Sequence, residues 1–141
     1  MSHAHVSVRI HFIFSTRERK ASIPVELQPS VWGYIGATAN KLGMKTFAVG
    51  GMSDHAHALV GLPPTMAVAT AVQKLKANSS RWITEQTGES FAWQEGYAAF
   101  SVSLSQMDAT IKYVQNQAKH HKKRSFAEEM AHILKLHGIE E

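Results

Sequence analysis

Within residues 53–60, positions 55–58 alternate between histidine and alanine, and this alternation constrains the fold more than any other feature of the chain. In an extended strand, successive side chains point to opposite sides. His55 and His57 therefore share one face, and the opposite face carries Ala56, Ala58 and Val60. One small apolar face beside a polar face is typical of a half-buried strand. The two imidazoles, about 6 to 7 Å apart along the backbone, could hold one divalent metal ion.

The histidine pair is weak evidence when taken alone. Nine of the 141 residues are histidine, so such a tripeptide arises readily by chance. The chain also spells His3-Ala4-His5. Imidazoles exposed on a strand surface are the competing interpretation of His55 and His57. A metal site needs a third ligand, and a reaction needs a nucleophile elsewhere in the chain.

Composition narrows the class of protein. A length of 141 residues with 44% hydrophobic and 18% charged residues suits one globular domain spanning 1–141, with a catalytic core over about 6–120 and a C-terminal helix over about 125–137. The chain has no cysteine, so a metal site must use histidine, carboxylate or amide ligands. No apolar run approaches the length of a membrane span, and no signal-peptide core is present. We expect a cytoplasmic protein that does not contact membranes.

Positive charge is modest in amount but clustered. The net charge is +4, which is compatible with a nucleic-acid partner. The clusters are Arg17 with Arg19 and Lys20, then Lys74 with Lys76 and Arg81, then the basic run 119–124. An ordinary solvated charged surface is the alternative explanation.

Periodicity along the chain predicts four strands and four helices. The predicted strands are residues 6–14, 45–50, 53–60 and 96–104. The predicted helices are 24–42, 65–86, 106–119 and 125–136, with Thr65 capping the second and Ser105–Asp108 and Ser125–Glu128 forming capping boxes for the last two. The order β-α-β-β-α-β, followed by two helices, is the ferredoxin-like α+β plan. His11, on the first strand, would then share a sheet with the histidine pair.

The third predicted helix could complete the site. Tyr113 and Gln117 are four residues apart and lie one turn from each other on the same helical face. The Gln117 amide oxygen can bind a metal, and the Tyr113 phenol can attack whatever the metal binds. A partly buried tyrosine and a solvated glutamine are the ordinary alternatives. Attack by tyrosine on a phosphodiester gives a phosphotyrosine ester, which fits transesterification better than hydrolysis.

The chain resembles the single-tyrosine HUH transposases of the insertion sequence 200/605 type, including their repeat-associated relatives. The resemblance covers roughly residues 6–139. Its motifs occur in the expected order at 9–16, 54–60 with 62–64, 76–82, 93–103, and 113–117 with 120–121. Ala56 departs from the pattern, because the family usually has a bulky apolar residue between the histidines.

This resemblance implies specific roles. His55 and His57 are the implied metal ligands, Gln117 the third ligand, and Tyr113 the nucleophile. The implied cofactor is Mg²⁺ or Mn²⁺. The implied partners are hairpins in single-stranded DNA and a second copy of the chain, whose histidine pair the Tyr113 helix can serve. Cleavage would leave a 5′-phosphotyrosine and a free 3′-OH, which attacks a second phosphotyrosine to rejoin strands.

DNA contacts and alternative functions remain open at the level of sequence. The candidate DNA-binding residues are Arg17, Arg19, Lys20, Lys76, Arg81, His120, His121, Lys122, Lys123 and Arg124. One alternative function is a domesticated, catalytically silent binder of single-stranded nucleic acid on the same fold. Another is a nickase of the replication-initiator or relaxase type. The presence of all four catalytic groups favours the enzyme, and the short chain argues against the larger nickases.

Overall fold

Four antiparallel strands form one sheet that places both histidine-bearing strands at its centre. A computed structural model describes residues 4–121 and 124–139. The strands are β1 Val8–Ser15, β2 Lys45–Met52, β3 His55–Leu62 and β4 Ala98–Ser101. Their order across the sheet is β2-β3-β1-β4. This order and the α+β composition confirm the predicted ferredoxin-like plan.

Two long helices cover the apolar face of the sheet. They are α1, Gln28–Lys41, and α2, Val68–Thr87. The alternation of β3 explains this choice of face, because its alanines and Val60 point toward the helices while its histidines point away. The main core joins these elements through Phe12, Phe14, Ala56, Ala58, Val60, Val31, Ile35, Val72 and Leu75.

Three further helices pack on the histidine face. They are α3 Met107–Gln115, α4 Gln117–His120 and α5 Phe126–Leu136. Leu59 packs against Met107 and Val114 of α3. Ile13 packs with Phe126 and Ile133 of α5. The histidines of β3 are therefore enclosed between the sheet and the C-terminal part of the chain.

A glycine of β2 allows α3 to lie close to the sheet. A Cβ atom added at Gly50 would collide with the backbone carbonyl oxygen of Val114. Val114 follows Tyr113 directly, so this contact sets how closely the tyrosine segment approaches the histidine face.

Several predicted boundaries were wrong in detail. The helix expected over 106–119 is interrupted at Asn116, whose backbone (φ −108°, ψ 33°) is not helical. Thr65 does not cap α2, and Ser105 does not cap α3. The N-cap residues are Ala67 and Gln106 instead, and neither makes a side-chain capping hydrogen bond. The fourth strand is shorter than predicted, and α1 starts later, after a 3-10 turn at Val25–Leu27. The Ser125–Glu128 capping box of α5 is confirmed. No helix in the described part of the chain is both long and apolar enough to cross a membrane.

Candidate active site

Strand β3 delivers two fully buried imidazoles, and each is held in place through one ring nitrogen. Nδ1 of His55 lies 2.7 Å from a carboxylate oxygen of Asp54. Nδ1 of His57 lies 2.8 Å from Nε2 of His11, on the neighbouring strand β1. Partners of this kind fix the orientation of metal-binding histidines in proteins. In both rings Nε2 is the atom that contacts the helices packed on this face.

Gln117 and Tyr113 both reach this face, although they belong to different helices. The Gln117 side-chain oxygen lies 3.0 Å from Nε2 of His55. Its amide nitrogen donates to the carbonyl oxygen of Tyr113 at 3.1 Å, which spans the break at Asn116. The Tyr113 ring meets the His57 ring edge to face, with centroids 5.6 Å apart. The structure thus brings together the four residues that the sequence singled out.

Sequence reasoning missed the residue that contacts most of this cluster, Glu129 of α5. Its Oε1 atom lies 3.2 Å from Nε2 of His57 and 3.6 Å from Nε2 of His55. Its Oε2 atom accepts a hydrogen bond from the Tyr113 hydroxyl and lies 3.3 Å from Nε2 of His121. Glu129 is only 3% exposed.

A signal for Glu129 was present in the sequence. Phe126, Glu129 and Ile133 recur at spacings of three and four, which places them on one helical face. Phe126 and Ile133 are apolar and buried, and the charged Glu129 is buried beside them. A carboxylate in an apolar stripe is rarely buried without a partner, and so it marks a candidate functional residue.

His121 lies closer to the site than the sequence suggested. Its Nε2 atom is 3.1 Å from the Gln117 side-chain oxygen, and its ring centroid lies 4.8 Å from that of His55. His55, His121 and Glu129 each offer a ligand atom, and these atoms lie within 4.8 Å of one another. His120 instead lies exposed, with its ring centroid 4.9 Å from that of Tyr113.

Burial keeps His11 and His57 neutral. It lowers the pKa of His11 to about 3, with help from the neighbouring His57. It also lowers the pKa of His57 to about 4, although the hydrogen bond with Glu129 acts in the opposite direction. Neutral imidazole is the form that binds metals.

Burial acts to raise the pKa of both Glu129 and Tyr113, but the net shifts of the two groups are opposite. Burial alone would raise the pKa of Glu129, but the hydrogen bonds with His57 and Tyr113 outweigh it and lower this pKa to about 2. Glu129 is therefore ionised. Burial, and secondly the hydrogen bond to Glu129, raises the pKa of Tyr113. The phenol is therefore protonated in this arrangement.

The donor atoms fit a bound cation. Asp54 accepts from Nδ1–H of His55, so a neutral His55 presents a lone pair at Nε2. The Gln117 amide nitrogen donates elsewhere, so its oxygen is the atom 3.0 Å from that lone pair. Two hydrogen-bond acceptors at this distance gain little from each other, whereas both are ligands for a divalent cation.

Basic residues surround the exposed side of Tyr113. A cavity of about 730 Å³ is lined there by Ala109, Lys112, Tyr113, Asn116, Lys119, His120, Arg124, Glu129 and His132. Two of these, His120 and Arg124, were predicted to bind DNA. The cavity thus places the candidate nucleophile, Tyr113, next to several basic side chains, an arrangement that suits a phosphate-bearing ligand.

The other predicted DNA contacts are distributed unevenly. Arg19 lies over the Phe126 ring, 5.3 Å from its centroid, and Phe126 stacks on His55 at 4.2 Å. Arg17 and Lys20 are exposed beside Arg19. The Lys76 ammonium donates to two backbone carbonyls, of Gln94 at 2.7 Å and Gly96 at 2.9 Å, which assigns it a structural role.

The remaining predicted DNA-binding residues are Arg81, Lys122 and Lys123. Arg81 is exposed on α2, the helix packed on the opposite side of the sheet, where it donates to Asn78. Lys122 and Lys123 lie outside the described residues.

Comparison with known proteins identifies the family. Residues 4–117 match the family model described as IS200-like transposases. The chain belongs to this transposase family, a class of enzymes that cleave DNA, and the resemblance seen in the sequence is confirmed. A comparison with curated proteins gave no match.

Two solved structures are similar in fold. A candidate transposase from Deinococcus radiodurans R1 has 22% identity and a TM-score of 0.66, covering 83% of this chain and 96% of that chain. A REP-associated tyrosine transposase bound to a REP hairpin has 14% identity and a TM-score of 0.57, covering 81% of this chain and 70% of that chain.

Proposed function

We propose that this chain nicks and rejoins single-stranded DNA at hairpin-bearing element ends, using Tyr113 as the nucleophile. The observation that carries the proposal is the position of the Tyr113 hydroxyl. It donates to the same carboxylate whose other oxygen lies 3.2 Å from Nε2 of His57. A phenol beside neutral buried imidazoles is an arrangement for metal-assisted attack on phosphorus rather than for packing.

The metal ligands in this proposal are His55, His57 and Gln117. These residues would hold Mg²⁺ or Mn²⁺, which would supply Lewis-acid polarisation of the phosphate. Asp54 and His11 hold the two imidazoles in position through their Nδ1 atoms, so the ligand atoms need not be reoriented during the reaction.

The reaction exchanges one phosphate ester for another. The Tyr113 oxygen forms a bond to phosphorus, and the bond from phosphorus to the 3′ oxygen breaks. The phenol proton passes to Glu129, which already accepts its hydrogen bond, and from there to solvent. The departing 3′ oxygen takes a proton from solvent to become a hydroxyl. The 5′-phosphotyrosine conserves the energy of the broken phosphodiester, so a 3′-OH can later reverse the step on a second end.

DNA approaches through the cavity beside Tyr113. Lys112, Lys119 and Arg124 line it, and cations at these positions neutralise the phosphates that flank the scissile bond. Arg19 stands near the opposite side of the site, over the Phe126 ring that stacks on His55. The REP-hairpin complex of the similar transposase supports hairpin DNA as the partner.

A homodimer completes the proposal, because joining two element ends requires two phosphotyrosines. Tyr113 lies beside His57 of its own chain, which favours cleavage by each chain with its own tyrosine. The dimer then serves to bring two ends together.

The decisive experiment is a search for a covalent protein–DNA adduct. The protein is incubated with labelled single-stranded hairpins taken from the DNA that flanks its gene, with Mg²⁺ or Mn²⁺, and then denatured. We expect an adduct with the wild type and none with Tyr113→Phe. Tyr34→Phe is the matched control, because Tyr34 stacks on Trp82 at 4.8 Å, remote from the histidines, and should leave the adduct unchanged. An adduct formed by Tyr113→Phe refutes the assignment. Hairpin binding without any adduct favours a silent DNA-binding protein.

A further inference from the structure

The structure points to a metal ligand beyond the pair of histidines and Gln117. We propose that Glu129 of α5 contributes a carboxylate oxygen, Oε1, to the metal site. This inference rests on the metal site of the proposed function. The other proposed ligands come from β3 and α4, whereas Glu129 belongs to α5.

The spacing of the donor atoms supports this ligand. Adjacent ligands of a six-coordinate ion, with bonds of about 2.1 Å, lie about 3 Å apart. The Glu129 Oε1 atom lies 3.2 Å from Nε2 of His57. The Gln117 oxygen lies 3.0 Å from Nε2 of His55. The 3.6 Å between Glu129 Oε1 and Nε2 of His55 is wider than this spacing.

The surroundings of Glu129 also indicate a ligand. Buried carboxylates in proteins are paired with cations or coordinate metals. Within residues 4–121 and 124–139, the side chains within ion-pair distance of Glu129 are the imidazoles of His55, His57 and His121. In this described part of the chain, no lysine or arginine side chain lies within that distance of the carboxylate. A divalent cation would supply the positive charge that the 3% exposed carboxylate lacks.

The two carboxylate oxygens then have separate tasks. Oε1 contacts His55 and His57, while Oε2 accepts from the Tyr113 hydroxyl and lies near His121. A single side chain would thus fix the distance between metal and nucleophile. A carboxylate added to two imidazoles also suits hard cations such as Mn²⁺ and Mg²⁺.

Calorimetric titration of the full chain with MnCl₂ tests the assignment. We expect Glu129→Gln to weaken Mn²⁺ binding at least about tenfold, since even partners one bond further from a metal contribute 10- to 100-fold. Glu128→Gln is the matched control: it makes the same charge change on the adjacent, exposed residue, and glutamine can still close the capping box with Ser125. Equal affinity of wild type and Glu129→Gln overturns the inference while leaving the proposed function intact. Failure of the wild type to bind Mn²⁺ removes the metal site of the proposed function itself.

A second measurement uses only the wild-type protein, in case Glu129→Gln does not fold. Hydrogen–deuterium exchange is compared with Mn²⁺ and with chelator. Ligation by Glu129 predicts slower amide exchange in α5 as well as in β3 and α4. Slower exchange in β3 and α4 with α5 unchanged overturns the inference, because the metal would then be held without the last helix.

Discussion

The Tyr113 ring meets the His57 ring of the same chain edge to face, with the two centroids 5.6 Å apart. No movement of a partner chain is needed to bring nucleophile and histidine together in this arrangement. This contact therefore favours a site in which Tyr113 acts with the histidines of its own subunit.

Mixing two inactive variants distinguishes the two possibilities. Tyr113→Phe and His57→Ala, co-expressed so that mixed dimers form, should yield no covalent DNA adduct, because neither chain has a complete site. Each variant co-expressed with wild type should give an adduct in proportion to the wild-type chain. Restored adduct formation by the two variants together would show that Tyr113 serves the partner's histidines.

The close contact between Gly50 and Val114 should affect DNA cleavage, because it sets the position of the helix that carries Tyr113. Gly50→Ala places a Cβ against the Val114 carbonyl oxygen, which forces α3 away from β2. We expect a loss of about 1–3 kcal/mol in the free energy of unfolding, as for overpacking generally, together with a large loss of adduct formation. Gly33→Ala is the control, since a Cβ there has no atom within 4 Å and alanine favours a helix by about 1 kcal/mol. A fully active Gly50→Ala would contradict this account of how Tyr113 is positioned.

Acid should destabilise the metal-free protein, beginning well above the pKa of a carboxylate. The folded state lowers the pKa of His11 to about 3 and of His57 to about 4, from 6.5. Between these values and 6.5 the unfolded chain binds more protons than the folded one, so stability falls as pH falls through that window. Glu129, with its pKa lowered to about 2, adds a loss of the same sign below about 4.5.

Urea unfolding in the presence of chelator, at pH 7.5 and pH 5, measures this dependence. His11 faces His57 and also feels the charges of Glu129 and His137, so His11→Asn should reduce the difference between the two pH values. His132→Gln, which changes an exposed histidine of α5, should retain the wild-type difference. A wild-type urea midpoint equal at the two pH values would contradict the neutral, buried state of the histidines.

The salt dependence of DNA affinity should identify the face of the protein that binds DNA. Lys119 lines the cavity beside Tyr113, so Lys119→Gln should lower the slope of log affinity against log salt by about 0.7 for a single strand. Lys41, in the last turn of α1 on the opposite side of the sheet, provides the matched control. Lys41→Gln should leave the slope unchanged, and equal effects of the two substitutions would locate the DNA elsewhere.

Much of this architecture follows from local rules that the sequence carries. The alternation from His55 to Val60 fixes which residues face α1 and α2, because the apolar set must be buried. Tyr113 and Gln117 were identified through their spacing, and their convergence on one face is observed. The break at Asn116 was not predictable from periodicity, which continues through it without a glycine or proline.

Glu129 shows why the rest of the site was missed. It follows Glu128, the residue that closes a capping box with Ser125, and acidic residues are common in the first turn of any helix. Only the packing of α5 across the histidine face turns this carboxylate inward. Likewise, nothing local pairs His11 with His57; the register between β1 and β3 does so.

A single connection, residues 102–106, separates the histidine-bearing sheet from the segment that carries Tyr113, Gln117 and Glu129. Two chains that exchanged everything beyond this connection would rebuild two complete sites through identical contacts, each with its histidines from one chain and its tyrosine from the other. Domain swapping would thus convert a self-sufficient cleavage site into a shared one without any change in sequence. The length and stiffness of this short connection, rather than the chemistry of the site, would then decide which form a given transposase adopts.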